Sequence, residues 1–133
     1  MSIQQECIFC DKNNCQIISS GKNFFIIRDT AYPVTKHHTL IIANRHISDY
    51  FDLNTEELED LNKILKKQKK ELLELDGKIT GFNIGVNIGK DAGQSIMHCH
   101  IHLIPRRKGD VEDPSGGVRG VIPSKQKYKK TVL

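Results

Sequence analysis

The chain has 133 residues, 38% hydrophobic and 27% charged, with a formal net charge of +4. That profile fits one water-facing domain able to bury roughly two thirds of its surface without staples. No apolar run reaches the ~18 residues of a membrane span, and a mild positive charge without tryptophan or interleaved aromatics argues against a dedicated nucleic-acid binder and suits small anions.

Residues 1–23 are polar apart from their cysteines and read as a loop-like N-terminal segment. The first ten lack the basic start and apolar core of a secretory signal. The expected location is therefore the cytoplasm, where the four cysteines stay reduced. Residues 24–28 (Phe-Phe-Ile-Ile-Arg) form a short β-prone run, and 28–38, with Pro33, read as a loop. Residues 39–43 (Thr-Leu-Ile-Ile-Ala) have the length and unbroken apolar character of a buried strand. A short helical turn is expected within 47–53.

The clearest helix opens at Asn54, a good N-cap with Glu57 three residues on, as a capping box requires. Leu58, Leu61, Ile64, Leu65, Leu72 and Leu75 follow one face, broken only at Gln68. Glu56, Glu57, Glu59 and Asp60 suit the positive end of the helix dipole, and Gly77 is the expected stop. Residues 81–87 alternate like a strand, 89–93 form a turn, and 98–105 make the next strand. Residues 107–133, rich in Gly and Lys, read as an irregular arm. The order β–β–α–β–β predicts an α+β fold, an antiparallel sheet carrying one long helix, as a single domain over 1–133.

Three of the six histidines fall at 98, 100 and 102. On an extended backbone, alternate side chains share a face, so His98, His100 and His102 line up opposite Cys99, Ile101 and Leu103. Crowded imidazoles resist protonation, and neutral imidazole serves as nucleophile, base or metal ligand. Three readings stand at this point: strand histidines that merely alternate, a three-histidine catalytic metal site, and phosphoryl chemistry at one imidazole flanked by others. Same-face positions lie about 6.5–7 Å apart along a strand, which strains three in a row on one ion. Cys7 and Cys10 form a Cys-x-x-Cys pair, whose redox reading needs a thioredoxin-like βαβ context that the chain does not show.

The stretch His98-Cys99-His100-Ile101-His102-Leu103-Ile104 matches the motif His-φ-His-φ-His-φ-φ and so resembles the histidine triad (HIT) family. Gly93-Gln94-Ser95 before it, Asn87 further back and His38-Thr39-Leu40-Ile41-Ile42 match other segments of that family. Pro105-Arg106 looks like its bacterial and fragile-histidine-triad branches. The resemblance covers residues 7 to 107. It implies a HIT-like fold, a homodimer with sheets joined across the interface, and a nucleotide hydrolase or transferase acting at the α-phosphate of purine nucleotides. The substrates implied are dinucleoside polyphosphates, nucleoside phosphoramidates or adenylylated compounds.

By the same resemblance, His100 is the nucleophile that becomes a nucleotidyl-histidine. His102 and Gln94 steady phosphate oxygens, and His98 and His38 orient the site. Asp29, Asn87, Gly93, Gln94, Ser95, Ile96 and His102 are the implied nucleotide contacts. Here the family's glycine before the His38 position is His37, and one extra residue separates Asp29 from His38, which leaves Asp29 and Thr30 as rivals for the ribose. Some members hold structural zinc with positions matching Cys7, Cys10, His46 and His98; no organic cofactor is implied. Two other functions compete: a nucleotide-binding scaffold with vestigial activity, and a metal-dependent phosphohydrolase. The arm offers Arg119 or Lys125 to a polyphosphate, packs against a partner subunit, or touches no ligand.

Overall fold

The computed structural model describes residues 7–128. Its strands are β1 (Ile17–Ser20), β2 (Phe24–Arg28), β3 (Thr39–Ala43), β4 (Ile79–Gly85) and β5 (His100–Arg107), and its long helix is α1 (Thr55–Leu75). Every strand pair is antiparallel, and the sheet order is β1-β2-β3-β5-β4. This is the α+β architecture of the HIT fold, with one strand more than the sequence shows. Helix α1 carries the chain from β3 towards the far edge, and β5 returns into the gap between β3 and β4.

Runs without alternation, such as β2 and β3, need cover on both faces. Helix α1 covers one: Phe24, Ile26, Ile41, Ala43, Cys99 and Ile101 form a buried cluster with Leu61 and Leu53. The N-terminal segment covers the other, where Phe9 packs with Phe25, Leu40 and Ile42.

The start of α1 follows its sequence signal. Asn54 Oδ1 accepts from the Glu57 amide at 2.8 Å, and Glu57 Oε1 accepts from the Asn54 amide at 2.9 Å. Glu57 is only 2% exposed. The Arg45 guanidinium bonds both of its carboxylate oxygens, at 2.7 and 3.1 Å, and holds its pKa below the usual carboxylate range. The stretch after β3 is thereby tied to the first turn of α1.

The helix face differs from expectation at both ends and in its middle. Leu58 and Leu75 are exposed, whereas Gln68, at the apparent break, is 1% exposed. Its Oε1 accepts from Arg28 Nη1 at 2.7 Å, and the same Nη1 donates to Thr39 Oγ1 at 2.8 Å. Gln68 therefore completes a polar contact between α1 and the ends of β2 and β3. The C-cap is Asp76 in extended conformation; Gly77 takes no positive φ and does not act as a left-handed stop.

Other boundaries move as well. Residues 1–23 are not all loop among those described: Lys12–Asn14 form a 3-10 turn and Ile17–Ser20 form β1. That strand hides in the sequence because Ile-Ile-Ser-Ser does not alternate apolar with polar: Ile18 is exposed while Ser19 is turned inward. The turn expected within 47–53 is the 3-10 turn Tyr50–Asp52, and β4 begins and ends two residues earlier than its alternation suggests. The last strand begins at His100, because the chain bends over residues 96–98 and Cys99 donates its amide to Ile47 O at 2.6 Å. The arm is less irregular than expected, with 3-10 turns at Gly117–Val121 and Pro123–Lys125. Arg119 is tied within it, donating to Gln126 O at 3.3 Å and lying 5.0 Å from the Tyr128 ring centroid. Residues 129–133 of the arm, and 1–6 of the N-terminal segment, lie outside those described.

Gln68→Leu restores an unbroken apolar stripe on α1, yet it strips the Arg28 guanidinium of a buried acceptor. Loss of such a partner costs about 1–3 kcal/mol, so the variant should unfold at lower urea than the parent; a raised midpoint would contradict this account.

Candidate active site and metal centre

Two clusters meet where β3 and β5 pair. The first gathers side chains from three distant segments. A turn at Cys7, closed by Cys10 N to Cys7 O at 3.1 Å, presents both thiols. His46 follows β3, and His98 precedes β5. Their ligand atoms all lie within 4.8 Å of one another. Cys10 Sγ is 3.1 Å from His46 Nδ1, Cys7 Sγ is 3.4 Å from His98 Nδ1, and the two Nδ1 atoms are 3.2 Å apart. Zinc bonds of about 2.3 Å to sulfur and 2.0–2.1 Å to nitrogen give tetrahedral edges of about 3.3 Å between nitrogens and about 3.5 Å between nitrogen and sulfur, close to these distances.

The donor set also fits a cation in its protonation. His98 Nε2 donates to Ala43 O at 2.6 Å, which leaves the Nδ1 lone pair facing the cluster, as an outer hydrogen bond does for a metal-bound imidazole. Burial, reinforced by Cys7, holds the Cys10 thiol well above its ordinary range, a cost that a bound cation removes by ionising the thiol. Cys7, Cys10, His46 and His98 thus form a closed Cys₂His₂ set suited to a structural zinc ion. Cys15 is not part of it. Its thiol donates to Ile8 O at 3.6 Å.

The second cluster is a line of imidazoles on the face away from α1. It is not quite the row read from the sequence, because the bend over residues 96–98 turns the His98 ring to Cys7, Cys10 and His46. His38 takes its place. Ring centroids of His100 and His102 are 5.2 Å apart, and those of His102 and His38 are 5.1 Å apart. Phe9, from between the two cysteines, stands edge-on against His100 at 5.1 Å.

Hydrogen bonds fix the protons along this line. His100 Nδ1 lies 2.7 Å from His98 O, which can only accept. The proton of neutral His100 is therefore on Nδ1, and Nε2 keeps its lone pair. His102 is set the opposite way. The Val34 amide donates to His38 Nδ1 at 3.1 Å, and His38 Nε2 lies 2.9 Å from His102 Nδ1. The His38 proton thus sits on Nε2 and is given to His102 Nδ1, which leaves His102 with its own proton on Nε2. One ring offers an electron pair and its neighbour an N–H. Burial lowers the pKa of His38, His98 and His100, and burial with His100 and His38 nearby lowers that of His102 to about 4.

The remaining expected contacts are spread around this line. Asp29 follows β2, and its Oδ1 accepts from the Ala31 and Tyr32 amides at 3.1 and 3.0 Å, while Thr30 is exposed. His37 has φ 71°, the left-handed region that glycine adopts freely, which explains why a glycine suits that position. Asn87 is half-buried after β4. Gly93, at φ 95°, closes the turn before the exposed Ser95 and half-buried Ile96. Gln94 is buried, and its amide is already engaged: Nε2 donates to Ser48 O and Ile96 O, and Oε1 accepts from Gly89 N. It braces this turn rather than reaching out of it. Phe9 and the Val34 amide were not found by sequence reasoning. The only signal for Phe9 is its place between two cysteines, and a backbone amide has none.

Removing a zinc ligand with Cys10→Ser should abolish the one-to-one metal content measured by mass spectrometry. It should also cost the stabilisation that a bound ion supplies, about 3–4 kcal/mol at 100–1,000 times Kd. A chelator should lower the parent's urea midpoint and leave that of Cys10→Ser unmoved. For His102 the pH dependence is signed: the unfolded imidazole takes a proton near 6.5 and the folded one only at about 4. The unfolded state then binds more protons over that interval, so this stability is complete above pH 6.5 and drains away as pH falls towards 4. Urea midpoints from pH 7.5 to 4.5 should show it, with a shallower slope in His102→Gln.

Comparison with known proteins agrees with this geometry. The model of the HIT domain matches residues 11–109. The nitrilase and fragile histidine triad fusion protein NitFhit of Caenorhabditis elegans is 42% identical over 81 residues, 61% of this chain and 18% of its own. The bis(5'-nucleosyl)-tetraphosphatase (asymmetrical) of Schizosaccharomyces pombe is 36% identical over 81 residues, 61% of this chain and 44% of its own. The chain thus spans less than half of either relative. The crystal structure of a Zn-bound histidine triad family protein from Mycobacterium smegmatis superposes with a TM-score of 0.72 at 31% identity, covering 83% of this chain and 81% of that one. With its motif, fold and imidazole line in place, the chain belongs to the histidine triad family.

Proposed function

We propose that this chain is a nucleotide hydrolase or transferase that works at the α-phosphorus through a nucleotidyl-histidine on His100. The observation that carries this reading is the opposed proton placement in neighbouring rings. His100 Nδ1–H is held by His98 O at 2.7 Å, and the other ring nitrogen is left as a nucleophile. In the first step Nε2 bonds to phosphorus as the bond to the leaving group breaks, and the leaving group takes a proton from solvent. Positive charge then builds on the ring, where the His98 carbonyl meets it at Nδ1–H. His102 Nε2–H holds a non-bridging oxygen as negative charge spreads over the equatorial oxygens. In the second step water bonds to phosphorus, the P–N bond breaks, the lone pair returns to Nε2, and the proton of water passes to solvent. Neutral rings suit both steps, and burial keeps them neutral.

The substrates are purine nucleotides with a labile group on the α-phosphate: dinucleoside polyphosphates, nucleoside phosphoramidates or adenylylated compounds. The likeness to the bis(5'-nucleosyl)-tetraphosphatase of Schizosaccharomyces pombe supports the first class. Asn87, Gly93, Ser95 and Ile96 surround the nucleotide, and Gln94 acts through the turn it braces. The zinc set supports a structural role and disfavours a metal-dependent phosphohydrolase. With four protein ligands, a tetrahedral ion keeps no open position for water. A homodimer is supported by β4, an outer edge of the sheet with Ile84 half-exposed on it. No helix among the described residues is long and apolar enough to cross a membrane, and a thiol-rich metal site suits the reducing cytoplasm.

His100→Ala should cut turnover of diadenosine tri- or tetraphosphate by at least about 10³-fold, since removal of a nucleophile takes the covalent route with it. Nucleotide binding should stay within about threefold of the parent by calorimetry, and the nucleotidyl adduct seen in the intact-mass spectrum of quenched parent should vanish. A variant that turns over at the parental rate would sink this mechanism.

A further inference from the structure

The left-handed His37 and the short loop before it (residues 29–38) hold an arrangement that ribose binding does not explain. Asp29 N donates to His38 O at 2.8 Å, His38 N donates to Thr35 O at 3.1 Å, and Thr35 Oγ1 donates to Pro105 O at 2.7 Å on β5. Inside this closed loop, Asp29 Oδ1 accepts from two successive amides, Ala31 and Tyr32. The turn so formed aims the next free amide, that of Val34, at His38 Nδ1, 3.1 Å away.

We infer that Asp29 is a positioning residue: by shaping residues 29–38 it places the Val34 amide on His38 and thereby selects which nitrogen of His102 carries the proton. The inference rests on the reading of His102 as the donor to a phosphate oxygen. A backbone amide can only donate, so a ring nitrogen that meets it must be bare. If the loop relaxes, the Val34 amide no longer meets Nδ1, and His38 is free to carry its proton there. His38 Nε2 then presents a lone pair to His102 Nδ1, and His102 must donate from Nδ1. Its Nε2 becomes a lone pair facing a phosphate oxygen, and attraction turns to repulsion. A single misplaced tautomer in a catalytic imidazole is enough to disable it.

The test separates this role from ribose binding and from the chemistry itself. Protein labelled with ¹⁵N-histidine, read by long-range ¹H–¹⁵N correlation, reports which ring nitrogens are protonated without any turnover. In the parent, His38 and His102 should both show Nε2–H. Asp29→Ala should shift a substantial population of both rings to Nδ1–H. Asp29→Asn, whose amide oxygen accepts the same two bonds, should recover most of the parental pattern. Thr35→Val, which frees the loop from Pro105 O, should shift the rings in the same direction as alanine. It also serves as the probe if Asp29→Ala does not fold.

In kinetics with a diadenosine polyphosphate, Asp29→Ala should lower kcat about 100-fold, as loss of one oxyanion donor does. KM should change less than about threefold, and a 2'-deoxy analogue should be affected equally. Unchanged tautomers in both Asp29→Ala and Thr35→Val would overturn the proposal. So would a loss confined to KM and to the ribose substrate, which would put Asp29 on the sugar. Parental protein that shows the expected tautomers but turns over none of these substrates would instead count against the proposed reaction.

Discussion

His98 is held at three points, and the site hangs from it. Its Nε2 is fixed on the Ala43 carbonyl, its Nδ1 faces the thiols and His46, and its own carbonyl takes the Nδ1 proton of His100. One residue thus joins the Cys₂His₂ set, through its side chain, to His100, through its backbone oxygen. The proton of neutral His100 is therefore placed by a residue whose own ring is fixed and which a bound zinc ion would keep from turning. Charge-neutral rings complete the device: an imidazole buried beside two others is hard to protonate, so the electron pair stays available.

The sheet order explains how these groups come together. β5 lies between β3 and β4, so residues just before it stand beside the end of β3, where Ala43 and then His46 follow. Pairing of Leu40 with His102 and of Ile42 with His100 sets the rings on the face opposite α1. Among the described residues that face carries no α-helix. Its cover is the N-terminal segment, with Phe9 closing on His100. The helix face works differently, through a buried apolar cluster and two polar ties, Arg45 with Glu57 and Arg28 with Gln68.

Much of this was legible. Alternating histidines, the capping box at Asn54 and the unbroken run at 39–43 are local signals, each with a local physical cause. The four metal ligands were legible through a family pattern, since nothing local joins Cys7 to His98. What escaped reading depends on partners far along the chain. β1 looks like loop because Ile-Ile-Ser-Ser lacks the alternation of a half-buried strand, and its pairing with β2 decides it. Gln68 looks like a flaw in a helix face until Arg28 is seen beneath it. The expectation of three histidines in a row was half right, because the chain bends over residues 96–98 and Cys99 is tied to Ile47 O, a partner far along the chain and invisible in the motif. Gln94 carries the right chemistry for a phosphate, but its hydrogen-bonding capacity is used within its own turn.

The Cys-x-x-Cys turn has one more consequence, for the order in which the molecule can assemble. Cys10 lies 36 residues from His46 and Cys7 lies 91 residues from His98. Closing such loops costs entropy that grows with the logarithm of their length, and contacts of such high sequence separation form slowly. A single ion held by this set would fasten both closures at once. Phe9, carried on that same turn, is thus expected to close on His100 late as the chain folds.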